Sequence, residues 1–363
     1  MADLKTKLCG LEMDSPFVMG SGPCGWDAEA LIACSKAGAG AVVTKSIKHK
    51  GFVNTTQHMV SNGLNSLLNN EGGSDLDLKQ WVDVEIPKAK DGGVKNLIAS
   101  VCGYGTMEET LDIATQCEKA GADMLEVVGD YHDPKDLVDL VGGVKKAVKI
   151  PVIAKVNGNW TDTEKVAEYC QQAGADAITA IDSIGPCYRV DIATGRPLIG
   201  GKAVGYMTGA PILPISLRYV HDIAGHVKSD LIGMGGVTTG EAALEMLMAG
   251  ATAVGVCTLP IVKGPAAFTE LCNKLSALMD KYGYADIATV SGMTLRTEKL
   301  PERSPADFHY DAEKCTHCNR CIKACAYRAR SFDAQGNMQV DANVCRVCGL
   351  CFGMCPTGAI TIG

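Results

Sequence analysis

The sequence predicts an α/β fold, a (β/α)8 barrel followed by a small cysteine-rich domain. Three observations predict it. Eight short apolar runs alternate with segments of helical spacing. A phrase built of a helix end, a glycine turn and a strand recurs, as SKAGAGAVV, EKAGADML, QQAGADAI and LMAGATAV. Eight of the seventeen cysteines crowd into two runs near the C-terminus, CTHCNRCIKAC and CRVCGLCFGMCP.

Size and composition agree. One α/β barrel takes about 250 residues, so a chain of 363 leaves a tail of roughly sixty. Hydrophobic residues make up 47% and charged residues 21%, enough for an ordinary buried core. The net charge is −7 and no Lys/Arg block stands out, so neither nucleic acid nor an anionic membrane is an expected partner. The opening MADLKTKLCG reaches charge too early for a signal peptide, and no apolar run nears the roughly twenty residues that span a bilayer. A cytoplasmic location is expected. In that reducing compartment clustered cysteines are metal ligands rather than disulfides.

The expected strands are FVMG (17–20), AVVTK (41–45), LIASV (97–101), MLEVV (124–128), VIAKV (152–156), AITAID (177–182), LIGMGG (231–236) and AVGVC (253–257). They are nearly all apolar, as strands covered on both faces must be. Between them lie DAEALIACSKAG, MEETLDIATQCEKAG, TDTEKVAEYCQQAG, PISLRYVHDIAG and GEAALEMLMAG, several opening on a capping residue and closing on glycine. A doubly wound sheet would produce similar phrases, but eight repeats favour a closed barrel. Two stretches break the rhythm, 46–96 with GLNSLLNNEGGS at its centre and 183–213 after the sixth strand. Long loops in compact domains are usually lids or site walls. The expected domains are the barrel over 1–283, a linker over 284–310 and the tail over 311–363.

In the tail, Cys315, Cys318, Cys321 and Cys325 follow C-x2-C-x2-C-x3-C, and Cys345, Cys348, Cys351 and Cys355 repeat it before Pro356. This is the bacterial ferredoxin spacing for two [4Fe–4S] clusters, in which the fourth cysteine of each run ligates the other cluster. One cluster is therefore assigned to Cys315, Cys318, Cys321 and Cys355, the second to Cys345, Cys348, Cys351 and Cys325. Structural zinc more often uses two separated pairs. His317, inside the first loop, is read as a surface residue or a tuner of potential rather than a ligand. Clusters move single electrons, so the barrel should hold a group that takes two and releases them singly, as a flavin does.

Barrels often bind phosphate with the loops after strands seven and eight. Here those loops are GMGGVTTGEAA and GVCTLP, and Gly235 and Gly236 lead into a helix whose backbone N–H groups can cradle a phosphate. With the clusters, this suggests FMN. Lys45 and Lys155 end the second and fifth strands, where a lysine can stabilise the anionic reduced flavin.

At this point GAGAVVTKS, PVIAKV and GGV…GATAVGVCT resemble dihydroorotate dehydrogenase-type flavoproteins. With the two-cluster tail, the whole chain looks like the C-terminal catalytic half, or the bacterial catalytic subunit, of dihydropyrimidine dehydrogenase. The resemblance implies that Gly20, Ser21 and Gly22 line the flavin and that Lys45 and Ser46 approach its ring. Lys155 would neutralise its reduced N1 side. Thr208 and Gly209, from YMTGAPILPISLR, would hold the phosphate with Gly235, Gly236, Gly255, Cys257 and Thr258. Asn65 matches a substrate-binding asparagine. The match breaks in the loop after strand four, where the family's Asn-Leu-Ser-Cys-Pro aligns with Val128-Gly129-Asp130-Tyr131-His132. The acid/base cysteine is gone. Tyr131 aligns with it, His132 is the next candidate and Asp130 the third. After strand six the family's Asn-Thr becomes Asp182-Ser183. A site that loses its amide partners discriminates against the cyclic imide it was built for. Cys102 and Cys187 read as small buried hydrophobes rather than nucleophiles.

The expected activity is therefore that of an FMN- and iron–sulfur-dependent oxidoreductase acting on a C=C bond conjugated to a carbonyl or imine in a small cyclic substrate. Electrons would pass through the two clusters to or from ferredoxin or an NAD(P)H-oxidising flavoprotein subunit, since no complete nicotinamide fingerprint is present. A homo-oligomer is expected. The alternatives are a dihydropyrimidine or dihydroorotate dehydrogenase proper with a rebuilt acid, and an electron-transfer subunit with no small substrate of its own.

Overall fold

The computed structural model describes residues 2–63, 65–129, 134–200, 204–297 and 300–363, and the chain divides into two compact units, Met1–Thr297 and Glu298–Gly363. The first is a closed barrel of eight parallel strands. They are β1 (Phe17–Met19), β2 (Ala41–Val43), β3 (Leu97–Cys102), β4 (Met124–Val128), β5 (Val152–Val156), β6 (Ala177–Ala180), β7 (Asp230–Met234) and β8 (Ala253–Val256). Each pairs with the next, and β8 closes on β1 with Val254 opposite Phe17. All eight expected strands are present.

The apolar runs are continuous because each strand is buried on both faces. Inward residues such as Val18, Val43, Ile98, Met124, Ile153 and Ile232 fill the interior. Leu8 and Met13, from an antiparallel hairpin (Thr6–Leu8 with Leu11–Met13), join that cluster. Outward residues such as Phe17, Leu97, Leu125 and Val152 pack beneath the helices. Those are α1 (Ala28–Lys36), α2 (Ile86–Asp91), α3 (Met107–Ala120), α4 (Pro134–Ala147), α5 (Thr163–Gln172), α6 (Leu213–His226), α7 (Gly240–Ala249) and α8 (Ala267–Tyr282). Local chemistry sets their ends. Thr106 and Glu109 form a capping box at α3, and Gly121, at φ 107°, ends it in a left-handed turn that glycine alone adopts cheaply. Among the described residues no helix is long and apolar enough to cross a membrane.

The two stretches that break the repeat come together. Met59–Ser61, Ser66–Asn69, Gly205–Gly209 and Ile184–Cys187 form one antiparallel sheet, with Leu67 opposite Thr208 and Asn69 opposite Tyr206. One ladder, Ser66–Asn69 against Gly205–Gly209, joins the two excursions, so part of each one's backbone is satisfied by the other. Within the first excursion Trp81 is fully buried and donates from Nε1 to Ser74 Oγ at 2.7 Å.

The expected linker needs correction. Short helices at Ile287–Val290 and Met293–Arg296 belong to the first unit, and Ile287 and Val290 are buried in its outer core. Phe308–Tyr310 is a strand of the second unit, paired with Ile360–Ile362. Apolar residues at helical and strand spacing on either side of the Pro-containing stretch 300–305 give each half something to bury.

The second unit is built from two copies of one pattern. A second antiparallel pair, Arg330–Phe332 with Met338–Val340, matches the first. Each cysteine run leads into a short helix, Arg320–Lys323 or Leu350–Gly353. Corresponding residues share left-handed conformations, His317 with Val347 (φ 52° and 54°) and Asn319 with Gly349 (60° and 76°).

Candidate active site and cysteine centres

A cavity of about 410 Å³ opens at the C-terminal ends of the barrel strands, within the range of small-molecule sites. Ser21 and Gly22 line it after β1, and Lys45 and Ser46 after β2. Cys102 and Val128 line it from the ends of β3 and β4, Lys155 from β5, Asp182 and Ser183 from after β6, and Cys257 and Thr258 from after β8. The excursion sheet supplies a wall, with Met59, Leu67, Asn69, Tyr206 and Thr208. A recess of about 60 Å³ shares Ser21, Lys155, Thr208 and Cys257 with the cavity and adds Gly209, Gly235, Gly236 and Gly255. Gly235 and Gly236 have φ of 116° and 87°, and a Cβ on Gly236 would lie 2.5 Å from the Leu213 backbone nitrogen, which opens α6. The expected phosphate residues thus meet in one place, beside the electropositive start of a helix. Gly20 is not among the lining residues. It packs under the site, where a Cβ would fall 2.8 Å from the Met234 side chain.

Both expected lysines are buried and compensated. Lys155 Nζ lies 3.3 Å from Asp182 Oδ2 and 3.9 Å from Glu126 Oε1. Burial opposes its charge, but Asp182 and Glu126 outweigh burial and hold the ammonium above the ordinary lysine value. Lys155 therefore stays cationic throughout the physiological range. Glu126, 0% exposed, accepts from Thr179 Oγ1 at 2.9 Å, while its Oε1 has no hydrogen-bond partner. Burial pushes its carboxyl up, against Lys155 and Thr179.

Lys45 is paired more closely still, with Glu71 Oε1 at 2.7 Å and Asp75 Oδ2 at 3.0 Å. His58 Nε2 is 3.2 Å from the other Glu71 oxygen. Glu71, Asp75 and His58 were not singled out from the sequence. The only signal was their place in and around NNEGGSD, inside an excursion already suspected of walling a site. Asn69 and Asn70, which also line the cavity, lie in that run.

Ser21, Ser46 and Ser100 form a hydroxyl chain at 3.3 and 3.0 Å beneath the cavity. Burial pushes the Cys257 thiol up to about 12 and also raises Cys102, so both line the cavity as neutral thiols. Cys187 directs its thiol at the Ile184 carbonyl, 3.4 Å away. Asn159, after β5, donates to the Ser183 carbonyl at 3.0 Å and accepts from the Gly185 N–H at 2.9 Å, fixing the loop that carries Asp182.

Two expectations fall elsewhere. Asn65 is not among the cavity's lining residues, and its carbonyl accepts from the Ala210 N–H at 3.1 Å. Tyr131 and His132, with Asp130, lie outside the described residues.

In the tail, one small cavity is lined by Cys315, Cys318, Cys321 and Cys355, and another by Cys325, Cys345, Cys348 and Cys351. The fold therefore sorts the thiols into the two sets expected from the spacing, each taking its fourth member from the other run. Backbone N–H groups point at the sulfurs, Ala329 to Cys325 at 3.4 Å and Ala359 to Cys355 at 3.2 Å. Left-handed turns at His317 and at β-branched Val347, costly for such residues, let each loop present three sulfurs to one centre. Four thiolate donors with N–H groups aimed at them fit a cubane cluster.

The family model for dihydroorotate dehydrogenase matches residues 3–279, and that for a 4Fe-4S dicluster domain matches 302–359. Similar proteins include the catalytic subunit of dihydroorotate dehydrogenase B (NAD(+)) from Methanothermobacter thermautotrophicus, 35% identical over 80% of this chain and 98% of its own. The subunit of the same name from Pyrococcus furiosus is 32% identical over 80% of this chain and 98% of its own. Both leave about a fifth of this chain unmatched, close to the share held by the second unit. The chain belongs to the dihydroorotate dehydrogenase family, as an oxidoreductase acting on CH–CH bonds, with FMN and 4Fe-4S clusters as its cofactors.

Proposed function

We propose that this protein reduces, or forms, a C=C bond conjugated to a carbonyl or imine in a small cyclic substrate, with electrons relayed through the two clusters. The observation that carries the reading is the pair of neighbouring chambers at the barrel mouth. A glycine-lined recess suits the ribityl phosphate of FMN, and Lys155 stands between it and the open cavity. FMN supplies a two-electron redox centre there.

The residues of this chain do the rest. Gly235, Gly236, Gly209, Thr208 and Thr258 hold the phosphate, and Ser21 and Gly22 border the ring with Ser46. Lys155 stays charged and offsets negative charge that develops beside it. Asp182 and Ser183 contact the substrate. The loop after β4 delivers the proton, through Tyr131 in first place and His132 in second. Within the family we infer kinship with the pyrimidine-binding half of dihydropyrimidine dehydrogenase. The fused two-cluster tail supports it, since the curated relatives match only about four fifths of the chain. The partner is ferredoxin or an NAD(P)H-oxidising flavoprotein subunit.

A second reading, dihydroorotate dehydrogenase proper, is favoured by the relatives' names. Anaerobically reduced protein, titrated with orotate, uracil and other cyclic enones or imides, separates the two. Reoxidation by orotate establishes the second reading. Reoxidation by a different ring establishes the first, and reoxidation by none overturns both. With the active substrate in hand, Tyr131→Phe should slow the half-reaction at least roughly a hundredfold. An unchanged rate passes the role to His132.

A further inference from the structure

The two halves of the second unit repeat one backbone but differ at one buried position. In each half, the residue four after the last cysteine donates its N–H to that sulfur, and its own carbonyl accepts from an aspartate N–H at 2.8 Å, Asp341 for Ala329 and Asp311 for Ala359. The next residue is Ile360 in one half, 1% exposed and lining the cavity of Cys315, Cys318, Cys321 and Cys355. In the other half it is Arg330, 5% exposed and lining the cavity of Cys325, Cys345, Cys348 and Cys351.

A buried guanidinium normally requires a carboxylate or several acceptors. Arg330 has no ion pair among the described residues, and its buried Nη2 has no hydrogen-bond partner. Its guanidinium lies over the Phe308 ring, 5.7 Å away. The opposite cavity is lined instead by the Tyr310 hydroxyl, which sits against Cys315. The cavity of Cys325, Cys345, Cys348 and Cys351 is thus lined by a cation without an ion-pair partner, whose charge also reaches Cys321 of the other set, and the opposite cavity by the Tyr310 hydroxyl.

We propose that Arg330 makes the two clusters electrically unequal. Its guanidinium donates to the thiolate or sulfide sulfurs of the cluster held by Cys325, Cys345, Cys348 and Cys351 and favours the reduced form, which carries one more negative charge. That cluster has the higher potential and holds the first electron the tail receives. The inference rests on the dicluster reading, and iron and acid-labile sulfide content tests that separately.

The experiment is an anaerobic, EPR-monitored redox titration of the full-length protein. The wild type should titrate in two one-electron steps, the Arg330 cluster favoured at least tenfold, which is 59 mV for a one-electron couple. Arg330→Ile, which copies the other half of the fold, should lower the higher midpoint and leave the other in place. Arg330→Lys should restore most of the separation and Arg330→Gln little of it. Unchanged midpoints in a fully loaded Arg330→Ile protein overturn the proposal, as does an equal shift of both. Should Arg330→Ile fail to load, Arg330→Lys and Arg330→Gln decide, and identical midpoints in those two overturn it.

Discussion

The barrel mouth and the cysteine tail both bury cations but treat them differently. Each buried lysine of the mouth has two carboxylates within 4 Å, Glu71 and Asp75 for Lys45, Asp182 and Glu126 for Lys155. Arg330 has none among the described residues. The mouth is compensated before any ligand arrives, so it can admit and release molecules without leaving a bare charge. The tail leaves compensation to its resident group. A chamber for exchangeable ligands must be stable empty, whereas a permanent cluster site can depend on its occupant.

The contrast is sharpest at Lys155. Lys155→Met removes the cation and strands Asp182 and Glu126 together. Losing one preorganised donor typically costs about 10² to 10³ in rate. We expect a loss of that order in the rate of substrate-dependent reoxidation, read by anaerobic stopped-flow, with the iron content of the tail unchanged. A rate within a few-fold of wild type would remove Lys155 from the chemistry.

Glu71→Gln tests the second lysine. Leaving a buried charge with no partner costs about 3–5 kcal/mol. Asp75 remains beside Lys45, so a smaller loss is expected, roughly 1–2 kcal/mol by denaturant melting of the barrel. A double-mutant cycle with Lys45→Met should show strong coupling, because the second change removes the charge that the first left exposed. Additive effects would mean that the contact contributes nothing.

Thr106→Ala is the smallest change and the control. It breaks the capping box of α3, whose hydrogen bonds stay within the helix's first turn, and should cost about 1 kcal/mol of stability without touching turnover or midpoints. An effect on turnover would show that the mouth responds to general loosening, which would weaken the reading of both lysine variants.

The sequence by itself determined whatever depends on near neighbours. The eight strands follow from short apolar runs, because a strand buried on both faces needs nothing else. The two thiol sets follow from spacings of two and three residues, because a cubane demands that geometry. The tertiary structure alone decided what joins distant segments. Leu67 faces Thr208 across more than a hundred residues of chain, and that pairing brings Asn69 and Glu71 to the mouth while keeping Asn65 from its lining. Local periodicity carries no record of such a register. It was equally silent on which acids would meet Lys45, and on Arg330, whose sequence context resembles that of any exposed arginine. Charge pairing depends on which side chains the closed fold leaves within a few ångströms of each other in low dielectric, and that distance is set only when the elements pack.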